Sequence, residues 1–102
     1  MKGIWIELNG DYVIAYKAVR KNGASVFKPR IIYEIGKIYE AHCDYNQDNE
    51  NSFGLSAWTK ERAKEYYDEG KILKVKIHID DLGVIIDDYK LRCRKLEILQ
   101  EV

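Results

Sequence analysis

The sequence predicts an α+β fold: a mostly antiparallel sheet of about six or seven short strands with one main α-helix at about 60–69. Short apolar-rich runs separated by turn residues fill most of the chain, and a segment with helix start and stop signals occurs once. The 102 residues suit a single domain, 1–102, because a chain of this length can bury one core.

A β-hairpin is predicted at the start of the chain, where the runs 3–8 and 12–19 flank Asn9-Gly10-Asp11. Asn-Gly favours a tight turn because both residues tolerate a positive φ. A second turn is predicted at 20–23, where Asn-Gly occurs again.

Two predicted strands alternate regularly between apolar and polar residues. In the run 12–19, Val13, Ala15 and Lys17 share one face, and in 71–79 the apolar residues face one way and the basic ones the other. Further short strands are predicted at 25–28, 31–33, 37–41, 84–86 and 91–99.

The helix at about 60–69 has signals at both ends. Thr59 can cap its N-terminus with a side-chain oxygen, and Gly70 is expected to end it in the left-handed conformation. Its apolar stripe is expected to pack on the sheet and comprises Trp58, Ala63, Tyr66 and Tyr67.

The charge balance excludes some functions. Lys and Arg total 17 and Asp and Glu total 17, so the net charge is zero, which argues against broad capture of nucleic acid but allows a local basic patch. No apolar run reaches the roughly 18 residues of a membrane helix, and the N-terminus lacks a signal-peptide layout. We therefore expect a soluble, cytoplasmic protein with no membrane partner and with reduced thiols at Cys43 and Cys93.

Two segments resemble metal sites but fail their requirements. His42 and Cys43 are adjacent, so in an extended chain their side chains diverge, whereas zinc ligands usually come in pairs two to four residues apart. The polar loop 44–52 carries oxygen-bearing side chains at alternate positions, as a calcium loop does, but Asn49 and Leu55 replace the glycine and glutamate that such a loop needs. No metal site and no cofactor are therefore predicted.

Two charged regions are candidate binding surfaces. The acidic loop residues Asp44, Asp48 and Glu50 are expected to steer a basic partner, and the alternative is a solvated loop with no partner. If their strands are neighbours, a basic strip suited to phosphates or to an acidic protein surface would form from Lys74, Lys76, Arg92 and Arg94. The alternative is that these lysines only discourage edge-to-edge pairing of strands.

No arrangement of a nucleophile and a base can be identified in the sequence. The chain has neither Gly-x-Ser-x-Gly nor a glycine-rich phosphate loop, and its two histidines stand outside any motif. Its eight tyrosines, together with arginines on short strands, are typical of protein interfaces. The alternative is that half-buried tyrosines cover the core of a small sheet. The sequence therefore favours a non-catalytic binding module for a protein or nucleoprotein complex, with direct nucleic-acid binding as a further interpretation.

A family resemblance rests on five segments taken in order: 15–19, 33–39, 54–58, 72–77 and 92–99. This order resembles a small domain of unknown function in bacteriophage and prophage proteins, sometimes found beside pentapeptide repeats. The resemblance covers most of the chain and implies a phage origin. Small phage proteins of this kind often inhibit host machinery, including defence complexes such as CRISPR–Cas, so it also implies a host protein or nucleoprotein complex as the partner.

The same order is also similar to a reduced ADP-ribosyltransferase, an enzyme that uses NAD. Such enzymes have an early strand with a basic or histidine residue, a strand with Ser or Thr, a helix, and a late strand with a catalytic glutamate. The similarity implies Lys17 or Arg20 in the first motif, Ser56 in the second and Glu97 as the glutamate. Tyr-Lys and Ser-Ala-Trp depart from the family's Tyr-Arg and Ser-Thr-Ser. These departures favour a degenerate enzyme over an active one.

Overall fold

The computed structural model describes residues 7–26, 28–46, 54–86 and 90–102. One α-helix, α1 (Lys60–Tyr66), and one 3-10 turn (Ile79–Asp81) occur in this part of the chain. The strands there are all paired antiparallel and are β1 (Glu7–Asn9), β2 (Tyr12–Val19), β3 (Ile38–Glu40), β4 (Leu55–Trp58), β5 (Lys71–His78), β6 (Leu82–Ile86), β7 (Lys90–Cys93) and β8 (Lys95–Glu101). The predicted α+β class is confirmed in outline, with the sheet as the dominant element.

The sheet curls on itself. Its strands follow the order β3-β8-β5-β2-β4-β7-β6, and β1 pairs with β2 beside this path. Only Arg94 separates β7 from β8, although four strand spacings, about 19 Å, would separate them in a flat sheet. Two backbone steps span only about 7 Å. The sheet must therefore bend until β7 and β8 meet, and this bend encloses the core.

The core lies on the concave side of the sheet, which we call the inner face. Val13, Ala15 and Val19 of β2 are buried there with Leu73, Val75, Ile77, Leu91, Leu96 and Ile98. Lys17 shares this face, as the alternation predicts, and is buried as well. The opposite, outer face of β2 is covered by α1, whose Ala63 packs in one cluster with Ala18, Trp58 and Ile72.

Two local predictions are confirmed in detail. β1 and β2 form a hairpin in which Asn9 faces Tyr12, and Gly10 in the turn has a φ of +67°. Residues 3–6 of the first predicted strand lie outside the described residues. At the start of α1, the hydroxyl of Thr59 accepts a hydrogen bond from the backbone N–H of Arg62 at 3.2 Å.

The helix is shorter than predicted, because it ends at Tyr66 and the next residue is already extended. Gly70 is not one of the glycines with a positive φ, so its predicted role as a left-handed cap is wrong. A Cβ at this position would overlap the carbonyl oxygen of Val19. Glycine is required here because the chain passes directly against β2 before β5 begins.

The strand boundaries also differ from the predicted ones. The single strand predicted at 91–99 is divided at Arg94 into β7 and β8, because its two halves pair with different parts of the curled sheet. Among the described residues, the strands predicted at 25–28 and 31–33 are reduced to one bridge between Ala24 and Ile32. The strand predicted at 84–86 begins two residues earlier, so Leu82 and Gly83 belong to β6.

Candidate functional site

The four residues implied by the ADP-ribosyltransferase similarity do not converge. Lys17 and Ser56 are in contact, since the Lys17 ammonium donates a hydrogen bond to the Ser56 carbonyl oxygen at 2.7 Å. Glu97 alternates with the buried Leu96 and Ile98, so it lies on the outer face, across the sheet from Lys17.

Arg20 is used elsewhere in the fold. Its guanidinium donates hydrogen bonds to the carbonyl oxygens of Ser25 at 3.4 Å and Val26 at 2.6 Å, and so holds the segment after the second turn. The four residues therefore offer no common site for a ligand such as NAD.

Lys17 is a buried amine surrounded by aromatic rings. Its ammonium lies 5.1 Å from the Tyr33 ring centre and 5.6 Å from that of Trp58. The pKa of Lys17 is lowered from 10.5 to about 8, mainly because burial desolvates the ammonium; Cys93 acts against this shift and Lys90 adds to it. Burial also raises the pKa values of Tyr33 and Cys93 to about 12, so both neighbours are neutral at pH 7. No ion pair joins Lys17 to a carboxylate of the described residues.

The predicted basic strip does not form as one exposed surface. β5, with Lys74 and Lys76, is not a neighbour of β7, which carries Arg92. Arg92 is fully buried, and it donates hydrogen bonds to the carbonyl oxygens of Asp44 at 2.7 Å and Asn46 at 2.8 Å. Its charge therefore anchors the start of the polar loop.

The acidic loop is described only at its start. The Asp44 carboxylate accepts a hydrogen bond from the backbone N–H of Asn46 at 2.9 Å. Asp48 and Glu50 lie outside the described residues, so the binding role of this loop stays a prediction.

The cysteines and acidic residues show no catalytic or metal-binding grouping in the described ranges. Cys43 and Cys93 are both free thiols, and burial raises the pKa of each. Within those ranges, no three His, Cys, Asp or Glu residues are placed to hold a metal ion. The described helices also include none with the length and apolar character needed to cross a membrane.

A charged cleft opens on the outer face beside β3. One part, about 420 Å³, is lined by Glu40, Ala41, His42, Asp81, Arg94 and Lys95. An adjoining part of about 240 Å³ shares Asp81 and Lys95 and includes Ile38, Lys76 and Glu97. We call the two parts together the β3 cleft.

Opposite charges face each other within the β3 cleft. Arg94 lies 2.9 Å from Asp81, and two looser pairs, Lys76–Glu97 and Lys95–Glu40, are each 3.7 Å apart. Hydrogen bonding to Asp81 raises the pKa of Arg94. The cleft therefore has both signs of charge along its length and no concentrated field of one sign.

Exposed isoleucines lie along the segment that leads into β3. Ile32, Ile35 and Ile38 are 47%, 58% and 56% exposed. The Tyr39 hydroxyl holds this segment in place, since it donates a hydrogen bond to the Ile32 carbonyl oxygen at 2.9 Å and accepts one from the Glu34 N–H at 2.7 Å. The segment that carries the three isoleucines is therefore held in place by hydrogen bonds. These isoleucines were not among the site residues predicted from the sequence, although three isoleucines within seven residues around Gly36 were a usable signal.

No protein-family model, curated protein or solved structure in the comparisons matches this chain. The class that the fold and the site define is thus an antiparallel α+β chain with an apolar edge beside a charged cleft. Such an arrangement can bind another molecule, and its described residues assemble no nucleophile with a base.

Proposed function

We propose that this chain is a non-catalytic protein-binding module that engages its partner through Ile32, Ile35 and Ile38 together with the β3 cleft. These residues are called the edge surface below. The observation that carries the proposal is the exposure of about half of each isoleucine at one end of the sheet.

The energetics favour a protein as the ligand of the edge surface. Full burial of an isoleucine side chain contributes about 1.5–3 kcal/mol, so covering what these three still expose would contribute roughly 1 kcal/mol each. The charged cleft beside them can form the polar rim that surrounds the apolar centre of a protein interface. Three exposed apolar side chains on one segment that leads into a charged cleft suit a protein partner better than a small polar ligand.

The alternatives receive less support from the same geometry. An NAD-dependent transferase would need Lys17 and Glu97 at one site, and the sheet separates them. A nucleic-acid interface would need an excess of basic groups, whereas Arg92 is buried and Lys76, Arg94 and Lys95 each lie beside a carboxylate. The contact between Lys17 and Ser56 is the one observation that favours the transferase, and the position of Glu97 counts against it.

The class of partner rests on the sequence resemblance to phage domains. That resemblance supports a phage-type accessory protein whose target is a host protein or a defence nucleoprotein complex such as CRISPR–Cas. The edge surface is compatible with inhibition by masking a protein surface, because it requires no chemical step.

Affinity capture from a bacterial host extract tests this proposal. The Ile35→Ser/Ile38→Ser double variant should lose at least nine-tenths of the captured partner, while Val102→Ser should retain it. Val102 is a matched control because it is similarly exposed, at 44%, and lies at the end of the chain beyond β8. Thermal unfolding of all three proteins verifies that they are folded. A partner captured equally by the double variant would contradict the proposal.

A further inference from the structure

The backbone of β3 has one edge that no other described strand occupies. β3 stands at the end of the sheet order and pairs with β8 on its other side. The Lys37 carbonyl oxygen accepts a hydrogen bond from Ile98 at 3.0 Å, and the Ala41 N–H donates one to Arg94 at 2.9 Å. Because the groups alternate along an antiparallel strand, the N–H and C=O of Ile38 and Glu40 point away from the sheet.

We propose that this outward edge of β3 accepts an extended segment of the partner as an additional antiparallel strand. The segment carries a basic residue opposite Glu40 and an apolar residue opposite Ile38. This inference rests on the proposed function and specifies how the edge surface binds. Strand addition of this kind takes affinity from main-chain hydrogen bonds and specificity from alternate side chains.

Charge complementarity specifies the basic residue. The Glu40 side chain is 70% exposed and meets Lys95 only loosely, at 3.7 Å, whereas Glu34 is already paired with Lys37 at 2.6 Å. A cation opposite Glu40 would therefore find an accessible carboxylate. Since the added strand runs antiparallel to β3, its basic residue comes two positions before its apolar residue.

The row of side chains next to this edge specifies the apolar residue. Ile38 pairs across the sheet with Glu97, and Glu97 with Lys76, so the three form one row on the outer face. A partner residue opposite Ile38 extends that row and covers its exposed side chain.

A second copy of this chain fits the edge less well. Pairing of two β3 strands with Ile38 opposite Ile38 would put Gly36 opposite Glu40 and provide no cation for the carboxylate. A partner segment that supplies both the cation and the apolar side chain is therefore the occupant we infer.

The test uses a capped nine-residue threonine peptide with lysine at its fourth position and isoleucine at its sixth. Added to the full chain labelled with nitrogen-15, it should shift the amide resonances of Ile38 and Glu40 and slow their exchange with solvent. N-methylation of the peptide at the lysine and isoleucine should weaken binding at least tenfold, because those N–H groups face β3. N-methylation at the residue between them should not, because its N–H points away.

Ile38→Pro provides the complementary change in the protein. It removes an outward-facing N–H and leaves the ladder to β8 intact, so it should weaken peptide binding at least tenfold, whereas Ile38→Val should not. The inference is overturned if the peptide does not bind at millimolar concentration, or if it shifts only the amide resonances of other residues. It is also overturned if N-methylation leaves the affinity unchanged, or if self-association of the chain protects the Ile38 and Glu40 amides without peptide. If the Ile35→Ser/Ile38→Ser variant loses the captured partner but peptide binding is absent or indifferent to N-methylation, strand addition is wrong while the proposed function stands.

Discussion

Charged side chains usually lie on the surface of a protein and large apolar ones in its core. Two regions of this chain reverse that rule, each in its own way: the surroundings of Lys17 and the edge surface. Lys17 places a charge inside the molecule, whereas Ile32, Ile35 and Ile38 place apolar side chains outside. Lys17 finds compensation within the chain from the Ser56 carbonyl oxygen and two aromatic rings. The described residues offer the isoleucines no comparable cover, so the edge surface, rather than Lys17, indicates an external partner.

Arg92 is a second buried cation, and it differs from Lys17 in how its charge is compensated. Its planar guanidinium donates to two carbonyl oxygens in a fixed arrangement, whereas the Lys17 ammonium has one hydrogen bond. We therefore expect the two cations to contribute to stability with opposite signs.

The largest effect is expected at Arg92. Arg92→Ala should lower the free energy of unfolding by about 3 kcal/mol, because it leaves a cavity and removes the donors to Asp44 and Asn46. Arg92→Lys should lose less, since it keeps a charge but cannot reach both carbonyl oxygens. Urea unfolding measures both changes, and an Arg92→Ala protein as stable as wild type would contradict the anchoring role.

A gain of about 2 kcal/mol is expected for Lys17→Met at pH 7. Burial lowers the pKa of Lys17 from 10.5 to about 8, which corresponds to about 3 kcal/mol, and loss of the hydrogen bond to Ser56 offsets about 1 kcal/mol. Between pH 8 and 10.5 the unfolded wild type binds more protons than the folded one, so wild-type stability rises with pH. The advantage of Lys17→Met should therefore shrink across this window.

Urea unfolding of wild type and Lys17→Met at pH 7, 8 and 9 measures that change. The raised pKa values of Cys93 and Tyr33 act in the opposite direction above about pH 9. They do not cancel between the two proteins, because Lys17 lowers the pKa of Cys93, so the comparison is made at pH 9 and below. An advantage that does not change with pH would show that the charge of Lys17 carries no penalty.

The smallest effect on stability is expected at the edge surface. Ile35→Ala should change the free energy of unfolding by less than about 0.5 kcal/mol, because the side chain is 58% exposed. Ile98→Ala, the matched buried control, should lower it by about 3 kcal/mol. Thermal unfolding compares the two, and a large loss at Ile35 would mean that the edge isoleucines serve the fold rather than a partner.

Local sequence patterns predicted the elements whose cause is local. Three such features depend only on residues a few positions apart in the sequence. They are the Asn9-Gly10 turn, the Thr59 cap and the alternation that puts Lys17 on the inner face. The composition and order of these signals were sufficient for the α+β class.

The candidate site could be predicted only in part. The sequence predicted Lys76 and Arg94 as binding residues, and both line the β3 cleft. It also predicted Arg92 on the surface, and Arg92 is buried. The isoleucines of the edge surface were not chosen at all, because an apolar residue looks the same in sequence whether the fold covers it or leaves it at an edge.

The sequence by itself determined the strand periodicities, the first turn and the start of the helix, since each follows from backbone preferences and short-range hydrogen bonds. Three features were decided only by the tertiary structure. These are the end of α1, the need for glycine at position 70, and the division of the last predicted strand at Arg94. These features depend on which distant strands meet, and the curl of the sheet decides that. The same curl buries Arg92 and leaves β3 at an open end, so the surface proposed for binding exists only once the sheet has formed.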